Sequence, residues 1–212
     1  GHTRWATHGK PSDANAHPHT DCRHEVAIVH NGIVENHLQI KEDLISRGHT
    51  FDSDTDSEVI SHLIEDGLAR GLSFEEAFTN MSGQLAGSQA IVATRRGETG
   101  KKLLALRLGH AGGMAISHRS GEAMVSSDLS AMVPFANNVS FLDDGEMAIV
   151  TESGVTYVGR DGKTINKMAE PIPENTGWVD KEGYEHFMIK EIMEQPRVAT
   201  NALSGRVDLE SG

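Results

Sequence analysis

Short apolar runs separated by glycine-bearing turns fill the second half of the chain, and this rhythm constrains the fold more than any other feature. Seven such runs follow one another from Gln89 onward, and each is as long as a strand and too short for an independent helix. They are residues 89–94, 103–108, 113–117, 122–127, 139–142, 146–151 and 154–158. Several runs are apolar on both faces, which predicts sheets that are covered on both sides.

The segment before these runs has the spacing of amphipathic helices. Residues 36–47 and 57–70 repeat apolar side chains every three or four positions, and each stretch is followed directly by a glycine, which is typical of a helix end. Residues 73–76 form a capping box in front of a third apolar stripe. One earlier strand is predicted over 26–30. Strands flanked by such helices predict an α+β fold built in layers.

The bulk composition excludes several classes of protein. The net charge of −12 at pH 7 opposes a phosphate backbone, so we expect no nucleic-acid partner. No apolar run is as long as a membrane span requires, so no membrane partner is expected either. The single cysteine, Cys22, excludes an internal disulfide and fits the reducing cytoplasm. We interpret Cys22 as an incidental residue of the loop at 20–25.

The end of the chain differs from the rest. Pro171 and Pro173 begin a linker, and residues 184–195 have a helical pattern that Pro196 is expected to interrupt. The predicted organisation is therefore a domain over 1–170 and an extension and linker over 171–212 that leads toward another domain.

Histidines are concentrated near the start, in the segments HTRWATHG (2–9) and NAHPH (15–19). His17 and His19 alternate on one face of an extended chain and offer two ligands to zinc. The spacing provides no cysteine pair and no H-E-x-x-H motif. We therefore favour hydrogen-bonded loop histidines, and we predict no metal and no cofactor.

Two further motifs have both a structural and a functional interpretation. Asn31-Gly32 follows the predicted strand and, taken alone, favours a hairpin turn. The alternative is that its side-chain amide and backbone N–H stabilise an oxyanion. Residues 53–58, SDTDSE, are typical N-capping residues of the next helix, and Asp56 is a surplus carboxylate that can bind an ammonium group.

Taken together and in order, the segments HTRWATHG, NAHPH, VHNGIVEN, SDTDSEVI and YEHFMIKEIMEQP resemble the glutamine–fructose-6-phosphate amidotransferase (glucosamine-6-phosphate synthase) family along almost the whole chain. The resemblance implies the αββα four-layer sandwich of N-terminal-nucleophile hydrolases, in its class II glutamine amidotransferase form and incomplete at the N-terminus. It also implies hydrolysis of glutamine to glutamate. The released ammonia then converts fructose 6-phosphate to glucosamine 6-phosphate in a C-terminal sugar isomerase domain, and the whole enzyme is expected to be a homodimer.

The resemblance assigns the main substrate contacts to four residues. Asn31 and Gly32 match the oxyanion pair of the family. Arg4 matches the arginine that binds the α-carboxylate of glutamine, a task suited to its planar pair of donors. Asp56 matches the acid that binds the α-amino group.

Three more residues and one absence complete the comparison. Thr7 and His8 match pocket-lining positions, and Trp5 matches the tryptophan near the mouth of the ammonia channel.

The family's nucleophile is an N-terminal cysteine whose own amine acts as the base, and these 212 residues do not begin with one. Cys22 cannot replace it, because its nitrogen is an amide. We therefore expect the chain alone to be inactive; the alternative is a non-catalytic glutamine-binding or scaffold module. Residues 110–113 also depart from the family's usual sequence.

Overall fold

Two antiparallel sheets form the centre of the computed structural model, which describes residues 7–97, 101–119, 121–172 and 181–203. The chain divides into two units, 1–172 and 173–212, and both sheets belong to the first. In chain order the strands are β1 (His19–Thr20), β2 (Val26–Gly32), β3 (Gln89–Arg95), β4 (Lys102–Leu108), β5 (Ala115–Arg119), β6 (Glu122–Ser126), β7 (Asn138–Phe141), β8 (Met147–Thr151), β9 (Gly154–Val158), β10 (Thr164–Ile165) and β11 (Glu170–Pro171). The larger sheet has the order β1-β2-β3-β4-β8-β9-β10, and the smaller has the order β11-β7-β5-β6.

Three helices of the first unit begin and end close to their predicted bounds. They are α1 (His37–Ser46), α2 (Glu58–Ala69) and α3 (Phe74–Ser82). The predicted capping box is present at α3, where Ser73 Oγ accepts from the Glu76 amide and the Glu76 carboxylate accepts from the Ser73 amide. The start of α3 is set by chemistry within a few residues of it, which is why the local sequence predicted it.

The helices pack against one face of the larger sheet. Alternate residues of β2, such as Val26 and Ile28, point into this layer and meet the apolar stripe of α2. A second apolar cluster fills the space between the two sheets, with Ala105 and Ala148 on one side and Ile116 on the other. The far face of the smaller sheet packs against a run of turns within 128–136, and Met132 is fully buried there.

The described part of the second unit is one exposed helix, α4 (Phe187–Leu203). Our prediction that Pro196 interrupts it was wrong, because Pro196 lies inside the helix. Proline removes one backbone hydrogen bond, but the helical bonds on both sides of it remain. Within the described ranges, none of the helices has the length and apolarity required to cross a membrane.

Candidate functional site

Strand β2 separates its last residues onto different sides of the larger sheet. His30 follows Val26 and Ile28 toward the helices and is buried. Asn31 points to the opposite side, and Gly32 ends the strand. Asn31 and Gly32 pair with Ala90 and Gln89 of β3, so the hairpin interpretation of this dipeptide was wrong. The ladder to β3 continues through both residues, and the chain turns only beyond them.

Gly32 occupies a position that no other residue fits. Its φ is +148°, and an added Cβ would lie 2.3 Å from the carbonyl oxygen of Ser88 and 2.8 Å from His30 Nε2. Real Cβ atoms essentially never approach backbone this closely, and the φ value is itself one that side chains disfavour. Packing therefore fixes the peptide that offers the candidate oxyanion donor.

A buried polar network supports this peptide from the helix side. His30 Nε2 is 2.6 Å from Gln89 Oε1, and His30 Nδ1 is 2.8 Å from Ser57 Oγ. The side-chain nitrogen of Gln89, Nε2, donates to the backbone carbonyls of Ile33 and Ala86. Because that nitrogen makes both donor bonds, Oε1 is the acceptor, which assigns the proton to His30 Nε2 and makes Nδ1 the acceptor from Ser57.

The environment keeps His30 neutral. Burial lowers the pKa of the His30 imidazole, and the hydrogen bond to Gln89 and the charge of Asp56 oppose this effect only in part. A neutral ring matches the pattern of one donated and one accepted hydrogen bond. His30 therefore acts as a fixed spacer between β2, β3 and the start of α2.

Asp56 links the start of α2 to the residue that follows the Asn31-Gly32 pair by two positions. Its Oδ2 accepts from the Val34 amide at 2.7 Å, and its Oδ1 is 3.6 Å from His8 Nδ1. The N-cap interpretation of residues 53–58 was wrong at the N-cap itself, whereas the expected acid in the first turn of α2 is present as Glu58. Ser57 makes no side-chain cap bond to α2, because this helix start is buried and its polar side chains meet tertiary partners instead.

The remaining predicted site residues have different outcomes. His8 is half-buried beside Asp56, and its ring centroid is 4.8 Å from that of His37. Thr7 is exposed. Arg4 and Trp5 lie outside the described residues, so the structure places neither of them.

An open pocket of about 450 Å³ borders Asn31 between the two sheets. His17 and residues of the smaller sheet, including Val125 and Ser126, contribute to its lining. This volume lies in the range of small-molecule sites. A Cβ at Gly112 would be 3.5 Å from Asn31 Nδ2, so Gly112 lies next to the candidate oxyanion donor.

His19 is hydrogen-bonded as predicted, but it lies in strand β1 and not in a loop. The ring centroids of His17 and His19 are 4.8 Å apart, and His19 Nε2 is 3.1 Å from Thr55 Oγ1. Sequence reasoning missed His30, Ser57 and Gln89. The alternation of β2 is a signal for His30, because it shares the face of Val26 and Ile28, but no local pattern indicates its two partners.

Comparison with known proteins identifies the class. The family described as the glutamine amidotransferase domain matches residues 2–134, a span that contains every predicted site residue and the His30 network. This chain therefore belongs to the glutamine amidotransferase domain family.

Relatives from distant organisms are similar along nearly the whole chain. A glutamine–fructose-6-phosphate aminotransferase (isomerizing) of Thermococcus kodakarensis is 42% identical over 210 residues, which cover 99% of this chain and 34% of that protein. The protein of the same name from Bartonella quintana is 41% identical over 209 residues, with 99% and 34% coverage. The chain thus spans about a third of the length of these relatives.

Solved structures confirm the predicted fold class. The glutamine phosphoribosylpyrophosphate amidotransferase of B. subtilis, complexed with ADP and GMP, matches with a TM-score of 0.64 at 22% identity and covers 77% of this chain and 35% of that one. A structure described as the allosteric regulatory enzyme of purine biosynthesis matches with a TM-score of 0.55. The fold is a layered α+β sandwich similar to that of these structures.

Proposed function

We propose that this chain is the glutamine-hydrolysing part of a glutamine–fructose-6-phosphate aminotransferase. It hydrolyses glutamine to glutamate, and the ammonia serves to convert fructose 6-phosphate to glucosamine 6-phosphate. The observation that carries the proposal is the hydrogen bond of 2.7 Å between Asp56 and the Val34 amide. It joins the acid at the start of α2 to the strand end with Asn31 and Gly32, all within the span that matches the family.

In this proposal the reacting amide of glutamine lies against the end of β2. The nucleophile is the thiol of the N-terminal cysteine of the family, which attacks the carbonyl carbon of the glutamine side chain. The Asn31 side-chain amide and the Gly32 N–H donate to the carbonyl oxygen, which becomes negatively charged in this step. Donors fixed before the reaction stabilise this charge without reorganisation. The His30–Gln89–Ser57 network is the support that keeps the Gly32 peptide in place, and its members are positioning residues.

The α-ammonium and the α-carboxylate of glutamine are bound by two different residues in this proposal. Asp56 Oδ1 binds the α-ammonium, since Oδ2 is already occupied by Val34. Arg4 binds the α-carboxylate through two parallel N–H donors. Thr7 and His8 line this part of the pocket, and Trp5 lies at the mouth of the ammonia channel.

We further propose that the chain acts in the cytoplasm, next to a sugar isomerase domain and within a homodimer. The relatives named glutamine–fructose-6-phosphate aminotransferase are about three times longer than the matched span, which leaves room for such a domain. The single cysteine among the 212 residues supports a reducing compartment.

The proposal is tested by glutaminase kinetics of the protein that carries this chain. Asn31→Ala is expected to lower kcat about 100-fold with little change in KM, because it removes a donor that acts on the transition state. Asp56→Asn is expected to raise KM for glutamine more than it lowers kcat. Asn138→Ala is the matched control, since Asn138 is exposed on the smaller sheet.

An Asn31→Ala variant with more than half of the wild-type kcat would contradict the assigned role. If the wild-type protein binds glutamine but releases no glutamate, the outcome favours a non-catalytic binding module instead.

A further inference from the structure

A second cluster of polar side chains lies at the opposite end of β2 from the Asn31-Gly32 pair. Cys22 belongs to the loop before β2, and His49 follows the end of α1. His62 and Glu65 are three residues apart on α2 and therefore share one face of it. One ligand atom from each of the four residues lies within 4.8 Å of all the others.

Four of the six distances between the ligand atoms are close to the edges of a tetrahedron around a metal ion, and all six are within 4.8 Å. Cys22 Sγ is 3.6 Å from His62 Nδ1 and 3.8 Å from His49 Nδ1. Zinc bonds of about 2.3 Å to sulfur and about 2.0–2.1 Å to nitrogen or oxygen, at tetrahedral angles, separate sulfur from nitrogen by about 3.5 Å and nitrogen from oxygen by about 3.3 Å. Glu65 Oε2 is 2.9 Å from His49 Nδ1 and 3.2 Å from His62 Nδ1.

Both imidazole rings have a carboxylate behind them. His62 Nε2 is 3.5 Å from Glu58 Oε1, and His49 Nε2 is 4.0 Å from Asp66 Oδ1. Metal-bound histidines commonly direct their second ring nitrogen at a carboxylate, which fixes the ring and the tautomer. A neutral imidazole carries one N–H and cannot donate to carboxylates from both nitrogens, whereas a bound cation satisfies the Nδ1 side and leaves Nε2–H for the carboxylate.

The carboxylate behind His62 is itself held in place. Glu58 is buried, and its carboxylate accepts from the backbone amides of Asp52 and Ser53, each at 2.8 Å. His62 is only 1% exposed. The inner wall of the cluster is therefore fixed by the same packing that anchors the first turn of α2.

The outer side of the cluster is accessible. Cys22 is exposed, and a pocket of about 440 Å³ borders Cys22, His49 and Glu65. Cys22 Sγ accepts hydrogen bonds from the amide of Thr50 at 3.4 Å and from its hydroxyl at 3.7 Å. The description of Cys22 as an incidental loop residue does not account for its place among three other ligand types.

We propose that Cys22, His49, His62 and Glu65 bind one zinc ion in a structural site. One thiolate, two imidazoles and one carboxylate suit zinc, whereas magnesium and calcium prefer oxygen ligands alone. Four protein ligands close the coordination shell, so the ion stabilises the fold and does not activate water. It ties the loop before β2, the loop after α1 and the middle of α2 together, about 20 Å along the strand from the Asn31-Gly32 pair.

The first test is the zinc content of the purified protein after dialysis against metal-free buffer, measured by mass spectrometry of the elements. We expect one zinc ion per chain, and we expect Cys22→Ser and His62→Gln to weaken zinc affinity at least about tenfold. His118→Gln is the control, because His118 is an exposed histidine of the smaller sheet. A wild-type protein that takes up no zinc at micromolar concentrations, or a Cys22→Ser variant that retains it fully, would overturn the proposal.

The second test needs no substitution and so does not depend on the folding of a variant. Alkylation of Cys22 by iodoacetamide is followed by peptide mass spectrometry, with zinc and with a chelator. Zinc is expected to slow the reaction at least about tenfold, because a metal-bound thiolate is a poorer nucleophile than a free one. Equal rates would show that the cluster is held by hydrogen bonds alone.

Discussion

The two ends of β2 show opposite ways in which buried polar groups are arranged. At the Asn31-Gly32 end, His30 meets one donor and one acceptor, and Gln89 uses its oxygen and its nitrogen. At the other end, Cys22, His49, His62 and Glu65 direct their ligand atoms at a common point. In the first arrangement each donor proton has an acceptor within the protein. The second arrangement brings lone pairs together and suits an added cation.

This difference teaches that burial and polarity alone do not indicate a binding site. A network in which each donor finds an acceptor makes the backbone rigid, and rigidity is what an oxyanion donor requires. A group of ligand atoms that face one another is costly to bury unless a cation compensates it. Whether buried polar groups form a rigid hydrogen-bonded network or a cation site depends on where their lone pairs point and how many protons they carry.

The largest effect is expected at Gly32. Gly32→Ala places a Cβ 2.3 Å from the Ser88 carbonyl oxygen, so the donor peptide must shift and glutaminase kcat falls about 100-fold or more. The matched control is Gly48→Ala, whose φ is also positive at +97° but whose Cβ meets nothing within 4 Å. That variant is expected to lose about 1 kcal/mol of stability and no activity. Equal kcat values for the two variants would refute the crowding argument.

A large loss of stability is expected from Gln89→Leu. The change leaves the His30 Nε2–H and the carbonyl of Ile33 without their partner, while the Ala86 carbonyl keeps its bond from the Glu35 amide. Buried unsatisfied groups cost about 1–3 kcal/mol each. We expect the free energy of unfolding to fall by about 2–4 kcal/mol in urea titrations. Gln84→Leu, on the exposed surface, is the control and should change stability little. A Gln89→Leu loss as small as that of the control would show that the network contributes little.

A smaller effect is expected in the pH dependence of stability. Burial lowers the pKa of His30 in the folded state below its usual value of about 6.5. Below about pH 6.5 the unfolded state therefore binds more protons, and the stability that His30 contributes is present above this pH and is lost as the pH falls toward the folded pKa. The stability difference between the wild type and His30→Gln should thus shrink from pH 7.5 to pH 5, measured by chemical unfolding. Parallel pH profiles for the two proteins would be inconsistent with a neutral, buried His30.

The smallest effect sharpens the separation of the two ends. Cys22→Ser is expected to leave glutaminase kcat within about twofold, because changes at well-separated sites without shared partners act independently. Conversely, Asn31→Ala should leave the zinc content unchanged. A strong loss of activity in Cys22→Ser, with the variant still folded by circular dichroism, would show that the two ends are coupled.

Much of the architecture could be predicted because its signals are local. Strand β3 begins at the predicted residue and ends one position later, since alternation and the flanking turns act over a few residues. The capping box located α3 for the same reason. Pro196 and the Asn31-Gly32 dipeptide were misjudged because a local breaker or turn signal was outweighed by hydrogen bonds to neighbouring backbone.

In the site, too, the residues of contiguous motifs were predicted and the contacts between distant residues were not. The order of the motifs identified Asn31, Gly32 and Asp56 as a set, through resemblance to a family. Gln89 lies 59 residues from its partner His30, and His62 lies 40 residues from Cys22. No periodicity in the sequence relates positions so far apart, so neither contact was predicted.

Local patterns predicted α1 to α3 and strands β2 to β9, because short-range sterics and hydrogen bonding dictate such elements, but not the two-residue strands β1, β10 and β11. The contiguous motifs indicated the family and the residues proposed to contact glutamine. Which polar side chains satisfy one another, and which lie close enough to form the proposed zinc site, followed from the tertiary structure alone. That outcome depends on how β2, α1 and α2 pack, and packing brings together atoms that the chain itself keeps far apart.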